Sequence, residues 1–429
     1  MAGNNCMTKI SIITIGDELL IGQVIDTNSA WMAQELNKAG FWVNRRLAIG
    51  DGREDILEAL DRESAQADII LITGGLGPTA DDITKPVLCE YFNTPLIVNE
   101  EALENVKNIF VNILRRPLIE RNLKQAEVPA SCRVLQNKRG TAPGMLFEKE
   151  GKTYVSMPGV PHEMKGMMKD QVIPILQSRY QTQFIEHRTL LTAGIGESSL
   201  ADHIQDFESA LPPEIKLAYL PNYGMVRLRL TASGNQTEVL ATGLRQAFTQ
   251  LKSLVSEWLV TDDDIALQEE IGRILRNRKQ TLVSAESCTG GYVAHLITSI
   301  PGSSDYFLGS VIAYDNAIKI KMLNVDPQIL TQHGAVSEET VRAMVSGALK
   351  NMQSDFAIAT TGIMGPGGGS ENKPVGTVWI AAGNDREIMT QKLWFRFDRQ
   401  RNTELTAANV LNLLRRFILS QPLTTAGLK

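Results

Sequence analysis

The chain has few of the residues on which several protein classes depend. Of its 429 residues only four are cysteine and five are histidine, and no two cysteines form a CxxC pair. Neither a disulfide framework nor a structural zinc site is therefore indicated, and a reducing cytoplasm is the expected location. No run approaches the roughly 20 apolar residues that a membrane-spanning helix needs. The first apolar run, 10–15, leads directly into Gly16, Asp17 and Glu18, so a signal peptide is not expected.

An excess of positive charge is also missing. The formal net charge is -5 at pH 7, whereas a general nucleic-acid binder needs a basic face that displaces counterions from phosphates. Nucleic acids and membranes are therefore not expected as partners. What is present is an ordinary globular composition, 43% apolar and 21% charged. At this length two or three domains are expected.

Short apolar runs alternate with amphipathic stretches in two long parts of the chain, which is typical of sheets covered by helices. The sequence predicts the α/β class, with two three-layer α/β/α domains joined by a small α+β module. The predicted domains are 1–170, the module 171–258 and 259–429. The predicted strands are 10–15, 42–49, 68–73 and 153–157 in the first domain, 188–193 and 225–232 in the module, and 281–285, 307–314, 356–361 and 377–383 in the last domain.

In the first domain, glycine-rich and acidic turns follow the predicted strands. Glycine turns before a helix aim backbone amides at phosphate, and carboxylates nearby can hold a hard divalent cation. The C-terminal ends of parallel strands share one sheet edge, so one site is expected. Its candidate phosphate-binding residues are Gly74, Gly75, Gly77, Thr79, Asn28, Pro158 and Gly159, and its candidate metal ligands are Asp17, Glu18, Asp26, Asp81 and Asp82. Helix capping is the alternative role for Asp26, Asn28 and Asp81.

In the last domain, a predicted strand, a tight turn and a helix surround Ser287. Such a turn lifts a serine hydroxyl out of the sheet and places backbone N–H groups near an oxyanion. Serine needs a base, and no histidine stands in a triad context. Lys319, five residues after Tyr314, is the alternative, because burial or a nearby cation lowers a lysine pKa. A solvated Lys319, a core Tyr314 and a nucleophilic Cys288 stay open.

Motifs in both α/β domains follow the order of a known family. They are 16–20, 26–28, 74–82 and 158–161 in the first domain, and 285–291, Tyr314 with Lys319, 333–337, 361–366 and 373–378 in the last. These motifs resemble those of the competence/damage-inducible CinA family, and the resemblance covers nearly the whole chain. The resemblance implies a first domain with a molybdopterin-binding fold, a KH-type module and a CinA C-terminal domain. Because the module shows no GxxG clamp with basic neighbours, it is interpreted as a structural spacer.

The resemblance also implies two activities on products of NAD breakdown. The first domain would hydrolyse ADP-ribose to AMP and ribose 5-phosphate with a divalent metal (Mg, Mn or Co) and potassium. The last would convert nicotinamide mononucleotide to nicotinate mononucleotide and ammonia without a cofactor. There Ser287 would be the nucleophile that Tyr314 and Lys319 activate, and Arg399 would neutralise the substrate phosphate. The implied substrate-binding residues are Thr289, Gly290, Gly291, Thr361, Gly362, Gly365, Pro366 and Arg399. A homodimer is expected.

Two other functions stay open. The first domain could bind molybdopterin or transfer nucleotidyl groups, because a glycine turn with carboxylates suits any phosphate-bearing ligand. Alternatively, the chain could be a non-enzymatic scaffold for DNA uptake or recombination. The acidic net charge and the absence of a basic stripe count against the scaffold.

Overall fold

The computed structural model describes residues 8–79 and 81–421; Cys6 and the motif residue Ala80 lie outside them. The described chain forms two compact units. One ends at Glu186 and also includes Ser233–Thr237, and the other comprises His187–Ala232 and the chain from Glu238 onward. The predicted mixed α/β class is confirmed. Within 8–79 and 81–421, no helix combines the length and the apolar character needed to cross a membrane.

The first unit is built on a mixed six-stranded sheet. The strands of this unit are β1 Ile10–Ile15, β2 Val43–Ile49, β3 Ile69–Thr73, β4 Leu96–Val98, β5 Glu127–Pro129, β6 Arg133–Leu135, β7 Gly144–Lys149 and β8 Lys152–Met157. The order of the main sheet is β2-β1-β3-β8-β7-β6, while β4 and β5 form a separate pair. The first four of these are parallel, and β7 and β6 are antiparallel. The four parallel strands therefore end at one edge.

Helices cover both faces of this sheet. They are α1 Asp17–Leu20, α2 Thr27–Lys38, α3 Arg53–Ser64, α4 Thr84–Tyr91, α5 Glu100–Lys107, α6 Glu120–Leu123, α7 Pro161–Met167 and α8 Ile173–Arg179. Alternate residues of β1 enter different cores: Ile10 and Ile12 pack on one face, Ile13 and Ile15 on the other. Strands buried on both faces give the continuous apolar runs seen in the sequence. The helical segment from Pro161 to Arg179 runs through the boundary predicted at 170, which stays a prediction.

The second unit contains two sheets. Its strands are β9 Phe184–Ala193, β10 Ile215–Asn222, β11 Met225–Gly234, β12 Leu259–Thr261, β13 Leu282–Glu286, β14 Phe307–Ile312, β15 Phe356–Gly362, β16 Thr377–Gly383 and β17 Ile388–Trp394. The orders are β10-β11-β9-β12 and β14-β13-β15-β16-β17. In the second of these sheets β14, β13 and β15 are parallel, and β16 and β17 are antiparallel. The helices are α9 Glu197–His203, α10 Gln205–Ser209, α11 Thr237–Leu254, α12 Leu267–Arg278, α13 Tyr292–Thr298, α14 Asn316–Leu323, α15 Pro327–His333, α16 Glu338–Met352 and α17 Arg399–Ser420.

The small sheet and the last α/β domain share a hydrophobic core. Leu191, Ala193 and Val260 pack in one cluster with residues of α12 and α17. In addition, the buried Arg415 of α17 donates a hydrogen bond to the Leu259 carbonyl at 3.0 Å. The last domain therefore depends on strands β9 and β12 for part of its interior.

A fragment that begins at residue 187 is expected to have nearly the same melting temperature as the second unit has in the full chain. A fragment that begins at 262 lacks the three core side chains, each worth about 1–3 kcal/mol on burial, and the acceptor of Arg415. We expect its melting temperature to be lower by about 10 °C. Calorimetry of the two fragments measures the difference, and equal melting temperatures would contradict a shared core.

Candidate active sites

A cavity of about 290 Å³ lies at the C-terminal ends of β13 and β15. It is lined by Ser287, Cys288, Tyr314, Asn316, Lys319, Ala335, Val336, Thr361, Gly362, Ile363, Met364, Gly365, Gly367, Gly368 and Arg399. The structure thus brings together the three predicted catalytic residues and four of the predicted substrate-binding ones. The predicted residues that do not line it are Thr289, Gly290, Gly291 and Pro366. Thr289 instead turns its hydroxyl inward to Glu286, at 2.7 Å.

Glu286 holds the turn that contains Ser287, a role the sequence prediction missed. Its side chain is buried and accepts hydrogen bonds from the backbone N–H groups of Gly291, Val293 and Ala294 at 2.8–3.1 Å. A carboxylate at a helix N-terminus is favoured by the unpaired N–H groups there. The Ser287 N–H donates to the Thr360 carbonyl at 3.0 Å, which fastens the turn to β15.

Lys319 is buried with its amine held by main-chain carbonyls. The side chain is 1% exposed, and Nζ donates to the carbonyls of Ala313 at 2.8 Å and Tyr314 at 3.1 Å. Burial lowers the pKa of Lys319, against the opposing effect of the Asp315 carboxylate. The predicted surface alternative for this lysine is therefore not what the structure shows.

Tyr314 and Arg399 contact each other at the rim of the same cavity. Arg399 donates to the Tyr314 hydroxyl and to the Gly365 carbonyl, both at 2.9 Å. Tyr314 is 60% exposed, so the alternative of a core tyrosine does not apply. Arg399 is the first residue of α17, whose N-terminus Asp398 caps by accepting from the Arg401 N–H. A guanidinium at a helix N-terminus favours an anion.

Cys288 was the other candidate nucleophile. Its side chain is buried, and burial raises the pKa of its thiol to about 12. The nucleophile must be the thiolate, which such a thiol rarely forms near neutral pH. The environment therefore favours Ser287 over Cys288.

The first unit has a cavity of about 550 Å³ at the ends of its parallel strands. It gathers the predicted residues Gly74, Gly75, Gly77, Pro158, Gly159, Glu18, Asp81 and Asp82. Four other predicted residues lie outside its lining: Asp17, Asp26, Asn28 and Thr79. Asp26 caps α2, accepting from the Ser29 N–H at 2.9 Å and the Thr14 hydroxyl at 2.8 Å, which is the capping alternative.

The other three residues outside the lining form hydrogen bonds that hold the turns around the cavity. Asn28 donates to the Gly159 carbonyl at 2.7 Å, and Thr79 donates through its N–H and hydroxyl to Asp82 at 2.9 and 2.5 Å. Asp17 accepts from the Asp51 N–H at 3.2 Å. They therefore hold the loops that surround the cavity.

Asp51 lines this cavity and was missed by the sequence prediction. Burial raises the pKa of Asp51, and the nearby carboxylates of Asp17, Glu18 and Asp81 raise it further. The sequence feature that could have identified Asp51 is its position between Gly50 and Gly52, in the turn directly after β2. In the described ranges no three acidic, histidine or cysteine side chains converge as metal ligands. The residues present are still of the type that a hard cation binds, because they supply several carboxylate oxygens whose negative charges lie near one another.

Three protein-family models match successive parts of the chain. "Probable molybdopterin binding domain" matches 11–178, "Damage-inducible protein CinA KH domain" matches 187–260 and "CinA C-terminal domain" matches 264–418. The CinA-like protein of Cytophaga hutchinsonii is 45% identical over 405 residues, which cover 94% of this chain and 97% of that protein. The chain belongs to the CinA family.

Other CinA proteins match over similar or shorter lengths. The CinA-like protein of Flavobacterium psychrophilum is 42% identical over 412 residues, covering 96% of this chain and 99% of its own. A solved structure, the CinA protein of Thermoplasma acidophilum, is 33% identical, covers 39% of this chain and 98% of its own, and has a TM-score of 0.37. The resemblance seen in the sequence motifs is confirmed. The 290 Å³ cavity lies in the CinA C-terminal domain, and the 550 Å³ cavity lies in the molybdopterin-binding-like domain.

Substituting Glu286 is expected to destabilise the CinA C-terminal domain. In Glu286→Gln, one of the two acceptor oxygens becomes an NH₂ group that faces backbone donors. We expect the free energy of unfolding to fall by about 2–4 kcal/mol. The exposed Glu371 in the same domain offers a matched Glu371→Gln control, expected to change it by less than about 0.5 kcal/mol. Chemical denaturation measures both, and equal stabilities would contradict the role of Glu286.

Proposed function

We propose that the CinA C-terminal domain of this chain hydrolyses the carboxamide of nicotinamide mononucleotide, with Ser287 as nucleophile and Lys319 as base. The observation that carries the proposal is the buried Lys319 amine on two carbonyls, in the cavity that Ser287 also lines. A neutral amine has two N–H groups and one lone pair. With both N–H groups bonded to carbonyls, the lone pair is left to accept a proton, whereas an ammonium would need a third acceptor.

In this mechanism the Ser287 oxygen attacks the carboxamide carbon while its proton moves to Lys319. The resulting ammonium returns the proton to the departing nitrogen, so the C–N bond breaks, ammonia leaves and an ester on Ser287 remains. Water then attacks the ester while the Lys319 amine accepts one of its protons, and the resulting ammonium returns that proton to the departing Ser287 oxygen. The products are nicotinate mononucleotide and free enzyme.

The turn supplies the oxyanion donor in this proposal. From residue 287 to 294 the N–H groups of Gly290 and Tyr292 bond inside the turn, Ser287 bonds to Thr360, and Glu286 takes three others. Of the two N–H groups that are left, that of Cys288 belongs to a residue lining the cavity and that of Thr289 does not, so we assign the developing oxyanion to the Cys288 N–H.

The remaining polar groups suit the rest of the nucleotide. We assign the substrate phosphate to Arg399 at the N-terminus of α17. Because the Tyr314 oxygen accepts from Arg399, its O–H remains to donate to Ser287 or the substrate. Lys319 rather than Tyr314 is therefore assigned as the base.

For the first domain we propose hydrolysis of ADP-ribose to AMP and ribose 5-phosphate. The supporting observation is a cavity that joins glycine turns suited to phosphates with a set of carboxylates. The carboxylates of Glu18, Asp51, Asp81 and Asp82 line the cavity and are the oxygen donors on which a divalent cation could draw together with the substrate phosphates, where it would supply charge neutralisation. The backbone of 74–77 would bind and orient the diphosphate.

The test of both assignments incubates the purified full-length protein with each nucleotide separately. Ammonia release from nicotinamide mononucleotide supports the first assignment, and AMP release from ADP-ribose with Mg²⁺, Mn²⁺ or Co²⁺ supports the second. A lack of AMP with all three ions would favour a binding or nucleotidyl-transfer role for the first domain instead.

Replacing Asp51 is expected to stop only the proposed hydrolysis of ADP-ribose by the first domain. Asp51→Asn removes one oxygen charge from the set that would hold the cation, so we expect AMP release to fall about 100-fold or more. Ammonia release should be unchanged, and Asp61→Asn, on the exposed side of α3, should affect neither. Both rates are measured on the same preparation. Normal AMP release by Asp51→Asn would remove Asp51 from the site.

A further inference from the structure

Another cavity of the second unit lies on the KH-type sheet and measures about 200 Å³. It is lined by Leu191, Leu220, Asn222, Tyr223, Met225, Arg227, Ala266, Leu267, Gln268, Tyr292, Leu296, Glu404, Ala408 and Leu411. None of these residues lines the cavity of Ser287. It is therefore a separate place at which a ligand could bind.

The lining combines an apolar base with aromatic rings and one carboxylate. Leu191 and Leu411 are buried side chains of the shared core. Tyr223 and Tyr292 contribute rings, and Glu404 contributes a carboxylate that accepts from the Gln400 amide at 3.0 Å. Apolar walls with few placed polar groups are typical of small-molecule sites.

Tyr223 occupies a backbone conformation that favours glycine or asparagine. It has φ +45° and, with Gly224 at φ +75°, forms the two-residue turn between the paired residues Asn222 and Met225. Tyrosine at this position costs free energy relative to the usual turn residues. The sequence therefore keeps an aromatic ring at the cavity against a local conformational preference.

The charges around the cavity favour a ligand without net charge. The Arg227 guanidinium is paired with Asp264 at 2.7 Å. The Arg401 guanidinium lies 5.8 Å from the centre of the Tyr223 ring, which places a positive charge near the cavity that the Glu404 carboxylate lines. A carboxylate only accepts hydrogen bonds, so it selects a ligand that carries a hydrogen-bond donor, which in a neutral aromatic heterocycle is a ring N–H.

We propose that this cavity binds a neutral planar aromatic heterocycle that carries an N–H donor. The ring stacks against Tyr223 or Tyr292 and the N–H donates to Glu404. A dry protein cavity of about 150 Å³ accepts benzene, so the larger cavity here accommodates a two-ring compound. The inference gives the KH-type module a binding role instead of that of a spacer, and it does not depend on the proposed deamidation.

The position of the cavity connects it to the catalytic turn. Helix α13 begins just after that turn and contributes Tyr292 and Leu296, and α17 begins with Arg399 and contributes Glu404, Ala408 and Leu411. A ligand in this cavity therefore contacts α17, which begins at the Ser287 cavity, and α13, which follows the Ser287 turn.

The test compares indole with 1-methylindole, which has the same ring system without the N–H. Calorimetry on the full-length protein is expected to show at least tenfold tighter binding of indole. Glu404→Leu should abolish that preference, and Ala408→Phe, which fills the cavity, should abolish binding of both. Arg416→Ala, at an exposed position on α17, should bind both normally.

Three results would overturn the proposal. They are no binding of indole, equal binding of the two compounds, or undiminished indole binding by Ala408→Phe. If Ala408→Phe does not fold, Leu296→Trp fills the cavity from α13 and is held to the same expectation. Because binding is read directly, failure of deamidation would not affect the outcome.

Discussion

A Ser287→Ala protein is expected to release ammonia from nicotinamide mononucleotide on the order of 10,000-fold more slowly than the unaltered protein, or not at all. The alanine removes the only atom that attacks the carboxamide in the proposed mechanism. The fold should persist, because the turn is held by the Ser287 backbone and by Glu286 rather than by the hydroxyl. Titration calorimetry should therefore show nucleotide binding within a few-fold of normal.

Cys288→Ala is the matched control one position along the same turn. Its thiol is buried with a pKa of about 12, so its loss should leave most of the activity. An active Ser287→Ala protein together with an inactive Cys288→Ala protein would reverse the assignment of the nucleophile.

Replacing Lys319 is expected to reduce deamidation by about 100- to 10,000-fold. Lys319→Arg keeps a positive charge on a group that does not deprotonate in proteins. Lys319→Met approximates the volume of the buried chain without a charge or a base. Both should lose kcat, whereas Lys321→Arg, exposed on the same helix, should not. If Lys319 only bound the phosphate, the arginine variant would keep kcat and change mainly KM.

The pH dependence of the unaltered protein gives the same assignment a second readout. Burial lowers the pKa of Lys319, so the neutral amine becomes available at a lower pH than for a free lysine. The rate should therefore rise with pH through that lowered pKa and fall when the amine is protonated. An acidic limb that is identical in Lys319→Met would exclude Lys319 as the titrating base.

Strands β1, β3 and β15 could be predicted because they are buried on both faces. Strands β1 and β3 are continuous apolar runs, and the turns that follow them carried the motif residues to one edge. The antiparallel strands β10 and β17 were missed because their residues are largely half-exposed and interrupted by polar side chains. Pattern alone does not separate such strands from loops.

The sites were predictable in composition but not in their contacts. The sequence placed Ser287, Lys319 and Tyr314 at strand ends, which the fold brings to one cavity. It could not show that Arg399, 85 positions away, bonds to Tyr314, or that Glu286 accepts three backbone N–H groups. Those contacts depend on how the ends of separate elements are packed together.

The measurement that tests the central proposal most directly is the yield of ammonia and nicotinate mononucleotide from nicotinamide mononucleotide in the presence of EDTA. We predict that the full-length protein makes the two products in equal amounts and at the same rate with or without the chelator, since hydroxyl and amine groups carry the proposed mechanism. Absence of both products, or a rate lost to EDTA and restored by a divalent cation, would contradict a serine amidase in the CinA C-terminal domain.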